Sequence, residues 1–300
     1  MSGFTIGVIG AGAVGQSVAA LLVQKRWCER VLVTARTRES AAGLVTDLED
    51  MREITGSSVR AEHGSLAEMR AAHALVVCPR ATFTNTATRD IRMAGLTANA
   101  PLIRSLAQEL TGYRRQVIVV TNPVDVLTRV FATTVGTAAR VYGIGSSTDS
   151  ARYRLALAAH YRVPVGAVRG FVIGEHGDRA VICASTTTVH GRPARVPLEY
   201  VRAQLSVRPR QINAGIGRTR CGPAGAVLGA LRKTLGLDDG TEVLSVNHRG
   251  VWLGIPLQFT AGRPTVTLPA LDPGEQRQFT AAQIKLATAY QQTLQGETAC

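Results

Sequence analysis

Lysine is nearly missing from this chain. It occurs only at positions 25, 233 and 285, although Lys and Arg together number 34 against 21 Asp and Glu. The net charge of +13 is therefore almost wholly arginine charge, and it is scattered with no basic run. Aromatic residues are scarce too, at 5%. A nucleic-acid site calls for clustered cations interleaved with aromatics, and that pattern is absent. The charge reads as a solvated positive surface that attracts anionic partners without specificity. The five cysteines, at 28, 78, 183, 221 and 300, lie far apart, with no CxxC and no His/Cys spacing suited to a metal. That argues against a disulfide frame and for reduced thiols in a cytoplasmic protein. Charge is also missing from residues 1–24, a length that suggests a membrane span or a signal peptide. A signal peptide should open with positive charge, however, and glycines recur at 3, 7, 10, 12 and 15. The segment reads as a buried strand–turn–helix, and no membrane partner is expected.

What is present in that segment is "TIGVIGAGAVGQSVAALLVQK". A β-branched run over 5–9 leads into Gly10-x-Gly12-x-x-Gly15 and then a helical stretch reaching Arg26. The first glycine permits the sharp turn, the second lets backbone approach a pyrophosphate, and the third lets helix and strand pack closely. The N–H groups of Ala13 and Val14 open the helix and would face the phosphates with its positive dipole end. A GxGxxG alone is a weak signal, but its place between a strand and a helix strengthens the case for a dinucleotide site.

The second strand, "RVLVTARTRE", ends about twenty residues later, where NAD sites usually carry an acid for the ribose 2′-hydroxyl. Here that acid is lacking. Thr34 takes the position, and Arg36 and Arg38 follow. Without the carboxylate a 2′-phosphate is not repelled, and a guanidinium can hold it by paired hydrogen bonds. NADP is therefore favoured modestly over NAD, although the two arginines also fit the general arginine excess.

The first half alternates in the βα manner. Apolar runs over 74–79 and 116–123 suit buried parallel strands, and helices are expected near 94–110 and 124–134. After "RVYGIG" (140–145) the texture changes: a helix "STDSARYRLALAAHY", short strands, a Pro- and Arg-rich middle, a hairpin over 242–259 and a helix near 275–294. The 300 residues, 45% hydrophobic, are enough for two domains, divided near Gly145. In "FVIGEHGDRA" (171–180) one of six histidines, His176, stands between two glycines with Glu175 and Asp178 on either flank. Glycines clear space for a substrate and carboxylates can orient an imidazole, as proton transfer requires. A plain surface turn would carry the same letters.

Four motifs in order now decide. With "GVIGAGAVG", "TNPVDVLT" (121–128), "STDSARYR" (147–154) and "IGEHGD" (173–178), the chain resembles the lactate/malate dehydrogenase family. The resemblance runs through about residue 180 and more loosely through "GIGRTRCGPAG" (215–225) to the end. It implies that His176 is the catalytic acid/base, and that Asp149 holds its imidazole, fixes the tautomer and raises its pKa toward working pH. Arg152, three residues along the same helix, would clamp a substrate carboxylate by its fork, and Asn122 would place an amide near nicotinamide and substrate. Asp149 and Arg152 alone would be an ordinary i,i+3 ion pair. Thr219 matches a pocket threonine, and Asn99 a family asparagine.

The departures lie in the loop after "LVVCPRA", which in the family closes over substrate. Counting back from Asn99 places its catalytic arginine at Arg92, but "TFTNTATRDIR" looks about two residues longer than usual, so Arg89 competes. The position that selects the substrate side chain falls at 84–86, where Thr84, Asn85 and Thr86 offer no cation for a second carboxylate. Arg210, Arg218 and Arg220 add positive charge further on, at a subunit surface or in the pocket. The expectation is an α/β protein: an N-terminal Rossmann dinucleotide-binding domain over 1–145 with a parallel sheet, and a C-terminal α+β substrate domain over 146–300. It would be an NAD(P)-dependent 2-hydroxyacid dehydrogenase for a substrate with a neutral polar side chain, and by analogy a homo-oligomer, dimer or tetramer. Two other readings stand beside it, a reductase of a cyclic imino acid and a catalytically silent dinucleotide-binding regulatory protein.

Overall fold

The computed structural model describes residues 3–87 and 90–295. The chain begins β1 (Phe4–Ile9), α1 (Ala13–Val23), β2 (Cys28–Thr34), α2 (Arg38–Thr55), β3 (Arg60–His63), α3 (Leu66–Met69) and β4 (Ala74–Val77). It continues α4 (Leu96–Glu109), β5 (Gln116–Val119), α5 (Val124–Val135) and β6 (Arg140–Gly143). These strands are parallel and lie in the order β3-β2-β1-β4-β5-β6, the doubly wound arrangement with its switch point between β1 and β4. β4 and β5 are buried at every residue. That is why they read as continuous apolar runs with no polar face.

α6 (Gly145–Tyr161) follows, then β7 (Val168–Arg169), β8 (Val172–Gly174), β9 (Ala180–Ile182), β10 (Thr188–Val189) and β11 (Arg192–Pro193). Helices α7 (Leu198–Ile216) and α8 (Cys221–Thr234), the hairpin β12 (Gly240–His248) and β13 (Val251–Thr260), β14 (Arg263–Val266) and α9 (Pro273–Gln295) complete the chain. The hairpin extends the first sheet. β12 pairs with β6 at Ser245 and Gly143, and β13 pairs with β8 at Gly254 and Gly174. These small residues let the start of α6 press against the hairpin, since a Cβ at Gly254 would strike the Ser146 side chain.

The expected strand–turn–helix at the N-terminus, the helices on either side of β5, the hairpin and the last helix are all present. The Pro- and Arg-rich middle differs from expectation, because it contains the long helix α7 with Pro209 inside it. Val201 is the one buried residue in that helix, so α7 lacks the apolar stripe by which a helix announces itself. Among the described residues, no helix is long and apolar enough to cross a membrane.

Candidate active site

Separate segments converge on the carboxylate of Asp149. The first turns of α6 are buried, so Asp149 and Arg152 project into the interior, with Arg152 Nη1 3.5 Å from Asp149 Oδ1. The ordinary i,i+3 pair is thus real, and it is also one edge of a larger cluster. His176 arrives from the turn between β8 and β9 and sets Nδ1 2.6 Å from Asp149 Oδ2. Arg92, at the start of the short 3-10 turn Met93–Gly95, brings Nη2 to 3.8 Å from Asp149 Oδ1. Arg89 lies outside the described residues. Thr219 reaches the same neighbourhood: a Cβ on Gly222 would lie 3.9 Å from its methyl and 4.0 Å from that of Thr148, the neighbour of Asp149.

Two supports go beyond the site residues expected from the sequence. A Cβ at Gly145 would collide with the Cβ and Cγ of His176, so the imidazole can approach α6 only because that helix starts with glycine. The backbone N–H of His176 donates to Asp125 Oδ2 at 2.7 Å, and that accepting carboxylate belongs to a residue 2% exposed in the first turn of α5. Burial pushes the Asp125 carboxyl up to about 7 in spite of that N–H. The sequence signal for it is an acid in the otherwise apolar "PVDVL" of a buried helix.

The acids flanking His176 do something other than orient its ring. Glu175 accepts from the backbone N–H of Arg179 at 2.8 Å and from Lys285 Nζ at 2.7 Å. Asp178 accepts from the backbone N–H of Asp90 at 2.9 Å. Both serve the segment that carries Arg92.

Electrostatics correct a second expectation. Burial works to raise the Asp149 carboxyl, but His176, Arg92 and Arg152 outweigh it and hold the group at about 2. His176 is lowered from the ordinary histidine value, by burial first and then by the charge of Arg92, with Arg152 adding to it. Asp149 pulls the other way and does not prevail. Arg152 is pressed below the usual arginine value chiefly by burial, with Asp149 opposing and Arg92 and Arg208 adding repulsion. Arg208, exposed on α7, is thus an arginine of the middle stretch whose charge bears on Arg152. Arg210 and Arg218 are exposed, whereas Arg220 donates Nη2 to the Ile216 carbonyl at 2.8 Å and keeps its Nε buried with no hydrogen-bond partner among the described residues.

The segment expected to select the substrate side chain stands at the surface, with Thr84, Asn85 and Thr86 exposed. Asn85 donates to the Ile91 carbonyl at 3.0 Å and so ties this stretch to Arg92. Buried Asn99 does similar work at the root of the loop: its side chain accepts from Ala81 N–H and donates to the Asn122 carbonyl, both at 2.8 Å. The Asn122 side chain stays exposed.

The glycine turn has the shape a dinucleotide needs. Gly10 sits at φ +114°, where an L side chain is strained, and a Cβ on Gly15 would meet the Gly10 carbonyl oxygen. Gly12 has open space where its Cβ would be and caps α1 with no side-chain hydrogen bond. The N–H groups of Ala13, Val14 and Gly15 precede any intrahelical acceptor, since the first such bond runs from Gln16 N–H to the Gly12 carbonyl. At the end of β2, the Thr34 carbonyl accepts from Gly10 N–H at 2.8 Å. Arg36 reaches across to Thr82 Oγ1 at 3.2 Å and to the Arg80 carbonyl at 3.1 Å. Arg38 opens α2 and is exposed.

A doubly wound sheet with this turn at its first crossover, and a histidine–carboxylate–arginine cluster beyond its last parallel strand, define a dinucleotide-dependent oxidoreductase. Residues 4–143 match the model of the lactate/malate dehydrogenase NAD-binding domain. An L-lactate dehydrogenase of Lactobacillus delbrueckii subsp. bulgaricus is 30% identical over 230 residues, covering 72% of this chain and 73% of that protein. A malate dehydrogenase of Sorangium cellulosum is 33% identical over 223 residues, covering 72% and 67%. In fold, the chain superimposes on a lactate dehydrogenase from a Medee basin deep-sea metagenome library with a TM-score of 0.88. That match has 21% identity and covers 98% of this chain and 99% of the other. The chain belongs to the lactate/malate dehydrogenase family, and it is a dehydrogenase of that type built around a nicotinamide dinucleotide.

Proposed function

We propose that this dehydrogenase interconverts a 2-oxo acid and its 2-hydroxy acid, for a substrate whose side chain is neutral and polar. The observation that carries the reading is the shared carboxylate: His176 at 2.6 Å, with Arg152 and Arg92 at 3.5 and 3.8 Å on its other oxygen. A silent regulatory protein needs the nucleotide cradle but has no use for a buried proton donor beside two guanidiniums. A nicotinamide dinucleotide held at the glycine turn would supply or accept the hydride. His176, its Nδ1 held by Asp149, donates a proton from Nε2 to the carbonyl oxygen and takes it back in the other direction. Arg152 pairs with the substrate carboxylate through its planar fork. Arg92 polarises the carbonyl and stabilises the oxygen as charge develops there. Thr219 would wall the substrate pocket, and Asn122 would place its side-chain amide near nicotinamide and substrate.

We further assign the pyrophosphate to Gly10, Gly12, Ala13, Val14 and Gly15, and an NADP 2′-phosphate to Thr34, Arg36 and Arg38. Residues 1–145 then act as the dinucleotide domain and 146–300 as the substrate domain, in a homo-oligomer. Thr34→Asp is expected to weaken NADPH binding and improve use of NADH, because a carboxylate repels the 2′-phosphate and accepts from a ribose hydroxyl. Arg36→Ala should damage NADPH use selectively. Steady-state kinetics with both dinucleotides check this, and a wide NADH preference in the unmodified protein would refute it.

A pH dependence follows from the lowered His176. Reduction needs the imidazolium, so kcat/KM for the 2-oxo acid should fall as pH rises through a midpoint below the ordinary histidine value. Once a substrate carboxylate neutralises Arg152, one opposing charge is gone and the imidazolium is easier to form. The midpoint in kcat should therefore lie at higher pH than that in kcat/KM. Coincident midpoints would show that Arg152 does not depress the imidazole.

A further inference from the structure

Lys285, one of three lysines in the chain, stands on α9, far in sequence from the catalytic motifs. Its Nζ lies 2.6 Å from Asp90 Oδ2 and 2.7 Å from Glu175 Oε1. Asp90 is two residues before Arg92, and Glu175 is the residue before His176. The ammonium thus joins the two segments that bring the candidate proton donor and the candidate carbonyl-polarising arginine together. A third acid completes the cluster, since Asp178 takes the backbone N–H of Asp90 at 2.9 Å.

Three carboxylates therefore crowd this place. Glu175 is 3% exposed at its side chain and Asp90 32%. Without a cation between them, Asp90 would be repelled by Glu175 and Asp178, and the chain at Asp90 would move away from His176. The backbone there is already unfavourable, with Asp90 at φ +47°. Lys285 carries one charge on a stem that is itself only 24% exposed, and it touches two of the three acids directly. Glu175 is in turn fixed by the Arg179 N–H, so it forms the immobile side of the bridge.

We propose that Lys285 is a positioning residue, the counter-ion that holds Asp90 against the His176 turn and so sets Arg92 at the reacting centre. The role of Arg92 rests on the function proposed above, whereas the bridge itself can be tested without it. Lys285→Met keeps the aliphatic stem and removes the charge, Asp90→Asn keeps the shape, and Lys285→Arg restores a cation.

The first measurement is amide hydrogen exchange over residues 90–95 in the protein without added dinucleotide. Both Lys285→Met and Asp90→Asn should speed exchange there by about tenfold, as expected for a partly buried bridge that has lost one partner. The double variant should be no faster than either single one. The second measurement is kcat/KM for the best 2-oxo acid, which should fall about tenfold in each single variant and no further in the double. Dinucleotide affinity should hold steady, and Lys285→Arg should recover most of the loss. Unchanged exchange in Lys285→Met, or losses that add in the double variant, would overturn the proposal. If no 2-oxo acid is reduced by the unmodified protein, the functional reading fails, and the exchange data still decide whether the bridge exists.

Discussion

Replacing His176 with asparagine is expected to lower turnover by roughly a hundredfold to ten-thousandfold, the range for loss of a positioned acid or base. Asparagine is smaller than histidine, so it fits against Gly145 without collision, and its backbone N–H can still meet Asp125. It has no proton to give at neutral pH. The glycine turn at residues 10–15 belongs to a different crossover, so the dinucleotide should bind with nearly unchanged affinity, as titration of the reduced form would register. Near-normal turnover in this variant would remove His176 from the reaction.

The second large effect is a contrast between two arginines at one carboxylate. Arg92→Gln should lower kcat by about a hundredfold to a thousandfold, as removal of one oxyanion donor does, because its contribution grows only as charge develops on the carbonyl oxygen. Arg152→Lys keeps the charge but loses the fork. It should act mainly through KM, weakening the carboxylate clamp in ground and transition states alike. Arg152 is buried and Arg92 stands at 27% side-chain exposure, so the lysine variant also needs a thermal melt to show that it folds. Arg89→Gln belongs in the same series, because residue counting leaves Arg89 as a competitor for the loop role. A large rate loss in Arg89→Gln and none in Arg92→Gln would move the carbonyl-polarising role by three residues along the chain.

Much of this architecture is legible in the residue pattern alone. Parallel strands with both faces covered cannot alternate polar and apolar residues, so β4 and β5 declare themselves as short unbroken runs. The glycine turn declares itself by spacing, whereas Asp149, Arg152 and His176 stand out as a set through the resemblance to the lactate/malate dehydrogenase family. What stays hidden depends on distance or on the sum of opposing effects. Helix α7 has almost no buried face, and Pro209 argues against a helix wherever periodicity is weak. The Lys285 bridge joins the last helix to a loop early in the chain, and no local pattern records such a contact. Glu175 and Asp178 are natural partners for the histidine between them, yet a turn that presents His176 to Asp149 must aim its flanking side chains elsewhere. The direction of the His176 shift cannot be read from residue types at all. Asp149 alone would raise it, and the balance turns on burial and on where the Arg92 guanidinium comes to rest.

Substrate choice joins two observations that pull apart. Thr84, Asn85 and Thr86 present no cation, and Asn85 is occupied with the Ile91 carbonyl. Arg208 adds positive field from α7, but from an exposed position that screening weakens. The proposed preference for a neutral polar side chain over a second carboxylate rests on the first of these observations.

The most direct test follows oxidation of NADPH and NADH by the purified protein across a panel of 2-oxo acids and cyclic imines. The panel should include oxaloacetate, pyruvate and 2-oxo acids with hydroxyl or amide side chains. The expected result is reduction of a 2-oxo acid with a neutral polar side chain, with a kcat/KM clearly above that for oxaloacetate. Turnover confined to the imines, or efficient reduction of oxaloacetate above every neutral 2-oxo acid, would contradict the proposed function.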